Sequence, residues 1–427
     1  MTKFDTDVLI VGAGPTGLAL ATRLQMAGVD HVLLDAQPQG SNTSRAAVVH
    51  AHTLEMLEVI GVVDQLKAEG LRLGKFTVRD RDSALLELDF DWLPSAYPYT
   101  LMIPQNRTEA ILTARLLELG GSIQREHRVL RVSQDGDGVT VTVQCPTGER
   151  SIRSRYVVGA DGMHSIVRQS AAIEFEGATY GESFVLADVR MDWPLGRDEV
   201  SLLFSPDGLV VVAPLPDGST RIVATVETAP EHPSIEFIQQ LLDARGPISG
   251  TAKVHSLTWS TRFRVHHRLA STYRHARLVV MGDAAHVHSP AGGQGMNTGL
   301  VDAMVLGQAL TEAVHNGRDA ALDRYAEVRR PAAKQVLALA SRLTRLAVVR
   351  SPVLRRLRNA MLRVLNAIGP FKRRLSLDLS GISRRSRSVL NALDGSGDRS
   401  RMSAVLEAVT AEIDANPKRV ARAPSAP

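Results

Sequence analysis

Apolar and polar residues along the first 35 positions follow two different periods. Residues 7–11 form a short apolar run, and a glycine-rich loop fills residues 12–17. Leu18, Ala21 and Leu24 then recur at helical spacing, before a second apolar run at residues 31–34. A strand, a loop, a helix and a strand in this order predict a βαβ unit, which implies a parallel sheet.

Helical and alternating patterns continue through the middle of the chain. Helical spacing recurs at residues 53–60 and 107–118, and residues 129–143 alternate around a glycine-containing turn, which predicts a hairpin. From about residue 179 to 277, short alternating runs are separated by Pro-Asp-Gly turns. This second pattern is typical of an antiparallel sheet.

A buried strand at residues 277–281 and a helix from about residue 297 return to the first pattern. We therefore predict an α/β protein in which one domain interrupts another. A Rossmann-like domain with a parallel sheet is expected at residues 1–75, 105–178 and 277–340. An antiparallel-sheet domain is expected at residues 76–104 and 179–276, and a basic helical C-terminal region with a polar terminus at residues 341–427.

The C-terminal region carries a charge of its own. After Arg330 there are 19 Lys and Arg against 6 Asp and Glu, a net +13, whereas residues 1–330 hold 31 against 39, a net −8. Four arginines surround an apolar helical face made of Leu354, Leu357, Met361, Leu365 and Ile368. We expect this face to pack on the acidic body; weak peripheral membrane contact is the alternative.

Composition excludes several classes of protein. Cys145 is the only cysteine of 427 residues, so an internal disulfide is impossible and a reducing, cytoplasmic location is expected. Residues 1–7 lack the signal-peptide pattern, and no apolar run reaches the roughly 18 residues of a membrane span. The 4% aromatic content and the acidic body argue against a nucleic-acid partner.

Candidate ligand-binding residues begin in the first loop. Gly12, Gly14 and Gly17, with Pro15 and Thr16 between them, fit the pattern GxGxxG, which alone is weak. Its place between a strand and a helix is what carries weight. Asp35 ends the next strand 18 residues later. We expect the loop and helix start to hold a pyrophosphate and Asp35 to accept from a ribose hydroxyl; a plain tight turn is the alternative.

Two later segments suit an extended dinucleotide. Asp161 follows one short β run, and Gly282 with Asp283 follows another, although Asp-Gly pairs are also common turn formers. A second glycine-rich loop then runs into a helix, where backbone donors could favour a reduced, anionic flavin ring. The candidate residues of this loop are Pro290, Gly292, Gly293, Gln294, Gly295, Met296 and Asn297.

These motifs in this order, followed by Tyr-Ala-Glu-Val-Arg-Arg-Pro at 325–331, resemble the class A FAD-dependent aromatic hydroxylases of the p-hydroxybenzoate hydroxylase fold over residues 5–335. The resemblance implies that the first loop and Asp35 hold the ADP part of non-covalent FAD, Asp283 the ribitol, and residues 290–297 the isoalloxazine. It assigns Asp161, with Ser165 and Arg168, to a fingerprint linked to FAD and NAD(P)H. It also places Arg45 and Arg107 beside the flavin.

The resemblance further implies the reaction. NAD(P)H, bound transiently, would reduce FAD, O₂ would add to the flavin, and a C4a-hydroperoxide would hydroxylate an aromatic or polyketide-like hydrophobic substrate. Two alternatives remain open at this point. One is an FAD-dependent reductase or epoxidase of an isoprenoid at a membrane surface, and the other is a non-catalytic flavin-binding protein.

The catalytic residues are not identifiable from the sequence. His50, His52, His286 and His288 are candidate bases, although a lone histidine is more often structural. No ligand set indicates a metal site, because no cysteine or carboxylate stands at ligand spacing from these histidines. Substrate selectivity is expected from residues 179–277 and 85–103, where Leu209, Val211 and Ala213 form either a pocket wall or ordinary core.

Overall fold

A computed structural model describes residues 4–40, 46–349 and 351–390 of the protein. Four parallel strands form the centre of a seven-stranded sheet in the order β17-β10-β1-β2. Their bounds are β1 Thr6–Val11, β2 His31–Leu34, β10 Gly148–Gly159 and β17 Leu278–Val280. The hairpin strands β8 (Arg128–Gln134) and β9 (Val139–Cys145) and the short β16 (Arg274–His275) extend it with antiparallel pairs.

Helices cover this sheet because their apolar residues recur on one face. Helix α1 (Pro15–Met26) packs against α4 (Gln105–Glu118) and α7 (Gly295–Asn316), and α8 (Ala320–Ala347) continues past α7. The shorter helices here are α2 (Ala51–Leu57), α3 (Val63–Glu69) and α5 (Ile166–Ser170). The predicted βαβ unit and parallel sheet are thus confirmed, with α7 starting two residues earlier than predicted.

A second, eight-stranded sheet has the order β18-β15-β11-β14-β13-β12-β5-β6. Two 18-residue strands, β11 (Phe175–Asp192) and β15 (Lys253–Ala270), run through it. The antiparallel sheet is confirmed, with one exception: β12 and β5 pair in parallel. The remaining elements are β5 (Lys75–Asp80), β6 (Ser83–Asp89), β12 (Glu199–Ser205), β13 (Gly208–Pro214), β14 (Thr220–Val226), β18 (His286–Val287) and α6 (Ile235–Arg245), a helix that the sequence did not predict.

A small three-stranded sheet and the C-terminal helices join the two large sheets. Strands β3 (Val48–Val49), β4 (Leu71–Leu73) and β7 (Thr100–Met102) form the small sheet. Helices α9 (Pro352–Asn366) and α10 (Gly369–Ser380) pack on β6, and a 3₁₀ turn at Ile382–Arg387 packs back on α2 and α8. No helix in the described ranges is long and apolar enough to cross a membrane.

Helix α9 contacts the body through the opposite face from the one we expected. Its buried residues are Arg358, Asn359 and Leu362, and the Arg358 guanidinium lies 4.9 Å from the centre of the Phe204 ring. Leu354 and Leu357, on the predicted packing face, are 56% and 61% exposed. The expectation that the apolar face packs on the body is therefore wrong, because the contact is made by Leu362 and by arginine and amide side chains that bond to Asp80 of β5 and Ser83 of β6.

Candidate functional site

The predicted binding segments meet at one edge of the parallel sheet. Val11, Leu34, Gly159 and Val280 are register partners at the carboxyl ends of β1, β2, β10 and β17. Parallel strands place their following loops side by side, so the first glycine loop, Asp35, Asp161 and the 282–283 segment lie along a single crevice. This is where open α/β sheets bind their ligands.

The glycines of the first loop differ in what surrounds them. A Cβ on Gly12, at φ +104°, would lie 2.4 Å from the carbonyl oxygen of Ala160, and one on Gly17 would lie 1.9 Å from that of Gly12. A Cβ on Gly14 would meet nothing within 4 Å. Gly12 and Gly17 are therefore required by packing, whereas Gly14 borders open space at the start of α1, where Pro15 occupies the first turn and backbone N–H groups face outward.

Asp35 holds the first loop in shape. One carboxylate oxygen accepts from the backbone N–H of Ala13 at 2.7 Å and the other from that of Gln37 at 2.8 Å. The Arg125 guanidinium lies 3.7 Å away, a neighbour that the sequence did not reveal. A carboxylate has about four acceptor positions, so Asp35 can serve the loop and still accept from a ribose hydroxyl.

The third motif packs directly on the first. Gly282 has a φ of +57°, and a Cβ there would lie 3.0 Å from the Thr16 hydroxyl oxygen. A Cβ on Gly299, in α7, would lie 2.5 Å from that same oxygen. Thr16 thus packs the first glycine loop against the 3₁₀ turn Gly282–Ala284 and against α7, and the Asp283 side chain in that turn is solvent-exposed.

A buried ionic cluster supports the 282–284 turn. Asp302 accepts from His286 Nε2 at 2.7 Å, from Arg329 Nε at 2.7 Å and from the backbone N–H of Gly282 at 3.2 Å. Burial alone would raise the pKa of Asp302, but Arg329 and His286 outweigh it and lower that pKa. The sequence did not assign Asp302 or Arg329; the available signal was an aspartate within the apolar face of α7.

Asp161 and Arg168 make structural contacts around the second motif. Asp161 accepts from the backbone N–H groups of Ile166 and Val167 at the start of α5, and burial raises its pKa. Arg168 donates to the carbonyl oxygen of Ala284 at 2.9 Å and stacks 3.9 Å from the ring centre of Phe175. These bonds connect the second motif to the third.

The second glycine loop is held from both sides. Gly292 and Gly293 have φ values of +85° and +62°, and a Cβ on Gly293 would lie 2.1 Å from Val48 Cγ1. The Asn297 amide donates to the carbonyls of Val48 and Gly293 and accepts from the backbone N–H of His50. Asn297 therefore fastens the loop to β3. The backbone N–H groups in the first turn of α7 remain as the donors for a ligand.

Gln294 faces the C-terminal segment instead of the sheet edge. Its amide nitrogen donates to the carbonyl of Leu379 at 2.8 Å, and its oxygen accepts from Arg384 at 2.9 Å. Burial lowers the pKa of Arg384 to about 10, which keeps it charged at neutral pH. The sequence did not indicate that Arg384, 90 residues away, would contact the loop.

The two predicted flavin-side arginines give different results. Arg45 lies outside the described residues. Arg107 is 55% exposed and pairs with Glu69 at 2.7 Å. Its guanidinium is thus directed to the end of α3.

The four candidate histidine bases all have buried ring nitrogens. Burial lowers the pKa of His50 and of His288 to about 4, and it also lowers that of His52 despite the neighbouring Glu55. His50 Nε2 lies 2.9 Å from the carbonyl oxygen of Gly292, and His286 contacts Asp302. Through these contacts His50 lies against the second glycine loop, and His286 joins the cluster that supports the 282–284 turn.

The apolar positions on β13 lie in a core. Leu209 and Ala213 are buried and Val211 is partly buried, in a cluster with Leu343 and Leu379 of the C-terminal helices.

On the neighbouring strand β14, Arg221 forms a bidentate ion pair with Asp188, at 2.7 Å for both bonds. Arg221 also donates to the carbonyl oxygen of Ala46 at 2.8 Å, so the large sheet is tied to the chain just before β3.

The residues at the sheet edge fit FAD. They combine an unfilled space beside Gly14, an exposed carboxylate at Asp283, and two helix starts without a side-chain cap, those of α1 and α7. Among the described residues, no group of three or more His, Cys, Asp or Glu is placed to hold a metal ion.

Comparison with known proteins agrees with this geometry. The family described as "FAD binding domain" matches residues 5–340. The chain is 37% identical to 6-methylpretetramide 4-monooxygenase of Streptomyces rimosus over 376 residues, which cover 86% of this chain and 67% of that protein. It thus spans about two thirds of the length of such curated relatives.

Solved structures show the same architecture. The p-nitrophenol 4-monooxygenase of Pseudomonas putida DLL-E4 superposes with a TM-score of 0.81 at 27% identity, covering 92% of this chain and all of that one. The anhydrotetracycline hydroxylase of Streptomyces rimosus gives 0.75 at 34% identity, covering 88% and 76%. The chain belongs to the FAD-dependent aromatic hydroxylases, the flavoprotein monooxygenases of the p-hydroxybenzoate hydroxylase fold.

Proposed function

We propose that this FAD-dependent monooxygenase uses NAD(P)H and O₂ to hydroxylate an aromatic or polyketide-like substrate beside the second glycine loop. The observation that carries the proposal is the second glycine loop, which leads into the start of α7, a helix start without a side-chain cap, and which packs on apolar side chains. A Cβ on Gly292 would lie 3.3 Å from Leu379 Cδ2 and 3.5 Å from Leu343 Cδ1, and Val48 touches Gly293. Two relatives, named for 6-methylpretetramide and for anhydrotetracycline, support a polyketide-like substrate.

The residues of the sheet edge would divide the cofactor among them. Gly14, with Gly12, Pro15, Thr16 and Gly17 shaping its loop, would admit the pyrophosphate to the start of α1. Asp35 would accept from the adenosine ribose and Asp283 from the ribitol hydroxyls. Arg45, Arg107 and Asp161 remain proposed contacts on the resemblance alone, and Asp161 already caps α5.

The second loop would present the reactive ring. FAD, when bound, supplies the redox chemistry that activates dioxygen for transfer to a substrate ring. Residues 290–297 would hold the isoalloxazine through backbone N–H groups, while Asn297 and Gln294 keep the loop fixed to β3 and to α10. The apolar residues around Gly292 would exclude water from the transfer.

Two measurements on the purified protein test this function. FAD is added to the protein and removed by gel filtration, and NAD(P)H oxidation is then followed with a panel of mono- and multi-ring phenols. We expect retained FAD, oxidation that a phenol accelerates, and one ¹⁸O atom from ¹⁸O₂ in the product. Acceleration without oxygen incorporation would favour a reductase, and FAD binding without acceleration by any compound would favour a non-catalytic flavin protein.

A further inference from the structure

An exposed apolar surface lies outside the cofactor site, on the outer side of α9. Its six side chains are 43–65% exposed, and they account for six of the nine exposed large apolar residues in the described part of the chain. We call this surface the α9 apolar face; its members are Val353, Leu354, Leu357, Met361, Val364 and Ile368. Exposed apolar side chains clustered in this way mark a binding surface.

The α9 apolar face points away from the body of the protein. At about 100° per residue, its members cover an arc of roughly 100°, and the buried residues Arg358, Asn359 and Leu362 centre on a direction roughly 140° away. Arg358 donates to the carbonyl oxygen of Leu346 at 2.9 Å, and Asn359 donates to Asp80. Helix α9 is therefore fastened along the body by one side while its apolar side is directed to solvent.

Basic residues accompany the apolar face. Residues 351–377, which include α9 and most of α10, contain seven Lys and Arg and no Asp or Glu. Arg356 and Arg363 are exposed along one edge of the face, whereas Asp80 and Glu87 contact the opposite, body-facing side of α9. Salt screens charges beyond about 8 Å, so these local charges outweigh the net −8 of residues 1–330. The surface therefore favours an anionic partner.

The chemistry of the face favours lipid over protein. None of its six side chains carries a nitrogen or oxygen atom, whereas protein interfaces combine apolar contacts with hydrogen bonds. A second copy docked isologously would bring Arg356 and Arg363 close to the same arginines of the partner. An anionic lipid surface offers acyl chains to the apolar face and phosphates to the arginines.

We propose that α9 is an interfacial helix that docks the protein reversibly on an anionic lipid surface. The helix lies parallel to the membrane plane, with Leu357 and Met361 among the acyl chains. Arg356 and Arg363, at the edge of the face, extend to the headgroup phosphates. Arg358 and Asn359 keep the helix on the body during docking.

Sedimentation with vesicles tests the docking. The full chain, with FAD added, is mixed with sucrose-loaded vesicles of phosphatidylcholine alone or of phosphatidylcholine with an equal amount of phosphatidylglycerol. We expect about 10-fold or stronger preference for the anionic vesicles, and weaker binding at high salt. Leu357→Asp with Met361→Asp should weaken this binding about 10-fold or more, and Arg356→Gln with Arg363→Gln should do the same.

Matched control variants change exposed residues outside α9. Leu117→Asp, on α4, is the control for the apolar pair, and Arg128→Gln with Arg131→Gln, on β8, is the control for the arginine pair. Both controls should bind the anionic vesicles as the unaltered chain does. FAD retention by every variant would show that the fold is intact, so that a loss of vesicle binding reports on the surface alone.

A fluorescent label identifies the surface that binds. In a Cys145→Ser background, Leu357→Cys carries a dye whose emission shifts to the blue in apolar surroundings, and Leu117→Cys is the control. We expect the anionic vesicles to shift the emission from Leu357→Cys and to leave that from Leu117→Cys unchanged. Absence of sedimentation, equal sedimentation with both vesicle types, or sedimentation without the shift at Leu357→Cys would each overturn the proposal.

Two results without vesicles would also overturn it. A blue shift at Leu357→Cys that grows with protein concentration would indicate that a second copy of the chain covers the face. A blue shift that is complete at every protein concentration would indicate that the chain covers the face itself.

Discussion

Two glycines of the first loop have different purposes: Gly17 is required by packing, whereas Gly14 borders the space in which we expect the ligand. We expect Gly14→Ala to leave the stability of the FAD-free protein within about 0.5 kcal/mol, because its Cβ meets nothing and its φ is −74°. The same methyl group should raise the Kd for FAD at least 10-fold if a pyrophosphate occupies that space. Flavin fluorescence and urea unfolding measure the two effects.

Gly17→Ala is the matched comparison for that variant. Its Cβ would lie 1.9 Å from the carbonyl oxygen of Gly12, so we expect a loss of about 3 kcal/mol even without FAD. Equal FAD affinity in Gly14→Ala and the unaltered protein would place the cofactor elsewhere.

The two acidic motif residues should also behave differently. Asp283 is exposed, so Asp283→Ala should leave the FAD-free protein folded and raise the Kd for FAD about 10- to 100-fold through loss of a charge-assisted hydrogen bond. Asp161→Ala should cost about 1–2 kcal/mol of stability, because it removes the acceptor at the start of α5. Similar FAD retention by both variants would contradict the assignment of Asp283 to the ribitol.

At the scale of elements, the second glycine loop depends on the C-terminal 3₁₀ turn. Arg384→Ala would leave the Gln294 oxygen without its buried partner, and we expect a loss of about 2–3 kcal/mol and weaker FAD retention. Arg374→Ala, in neighbouring α10, is the control: its side chain is 72% exposed and its ion pair should contribute under 0.5 kcal/mol. Thermal unfolding with and without FAD compares them.

Because of the buried histidines beside this loop, we expect the stability of the protein to depend on pH. His50 and His288 have a native pKa of about 4, whereas an unfolded histidine titrates near 6.5. The unfolded chain therefore binds more protons between these values. The contribution of each histidine to the free energy of unfolding should be fully present above pH 6.5. It should be lost as the pH falls towards 4, which lowers the free energy of unfolding by about 3 kcal/mol for each histidine. Urea unfolding between pH 4 and 8 measures the slope, which His288→Asn should reduce; an unchanged slope would contradict the assignment.

The sequence predicted elements whose periodicity is local. The βαβ unit, the 128–145 hairpin and strands β12 to β14 follow from short, regular patterns. The full lengths of strands β11 and β15 were not predicted. Register shifts at Asp188/Val189 and Arg190/Met191 interrupt their pairing, and these shifts break the alternation of apolar and polar residues. The side-chain contacts that hold the site in place were not predicted, for a different reason. Asp302–Arg329 and Gln294–Arg384 are contacts between distant helices, and no local pattern encodes them.

For the whole molecule, the division of charge at Arg330 does not correspond to a division of structure. Arg385 bridges to Glu55 and to the carbonyl of Pro94, and Ser388 bonds to His52. Basic residues of the C-terminal region therefore pair with the acidic body individually, while α9 turns its apolar face outward. One part of the C-terminal region thus packs on the body, and another part, the apolar face of α9, is exposed.

Two shortened chains would show whether the C-terminal helices support the cofactor site. The family match ends at residue 340, yet Leu362 and Leu379, beyond it, are buried against Leu202 and Phe204 of the large sheet. A chain ending at residue 340 would expose that sheet face and lose the bonds from Arg384 and Arg385. We expect it to aggregate and to retain no FAD. A chain ending at Leu390 keeps every one of these contacts, so its FAD affinity should stay within twofold of the full chain in dilute solution. Equal FAD retention by both shortened chains would show that the C-terminal helices do not support the cofactor site.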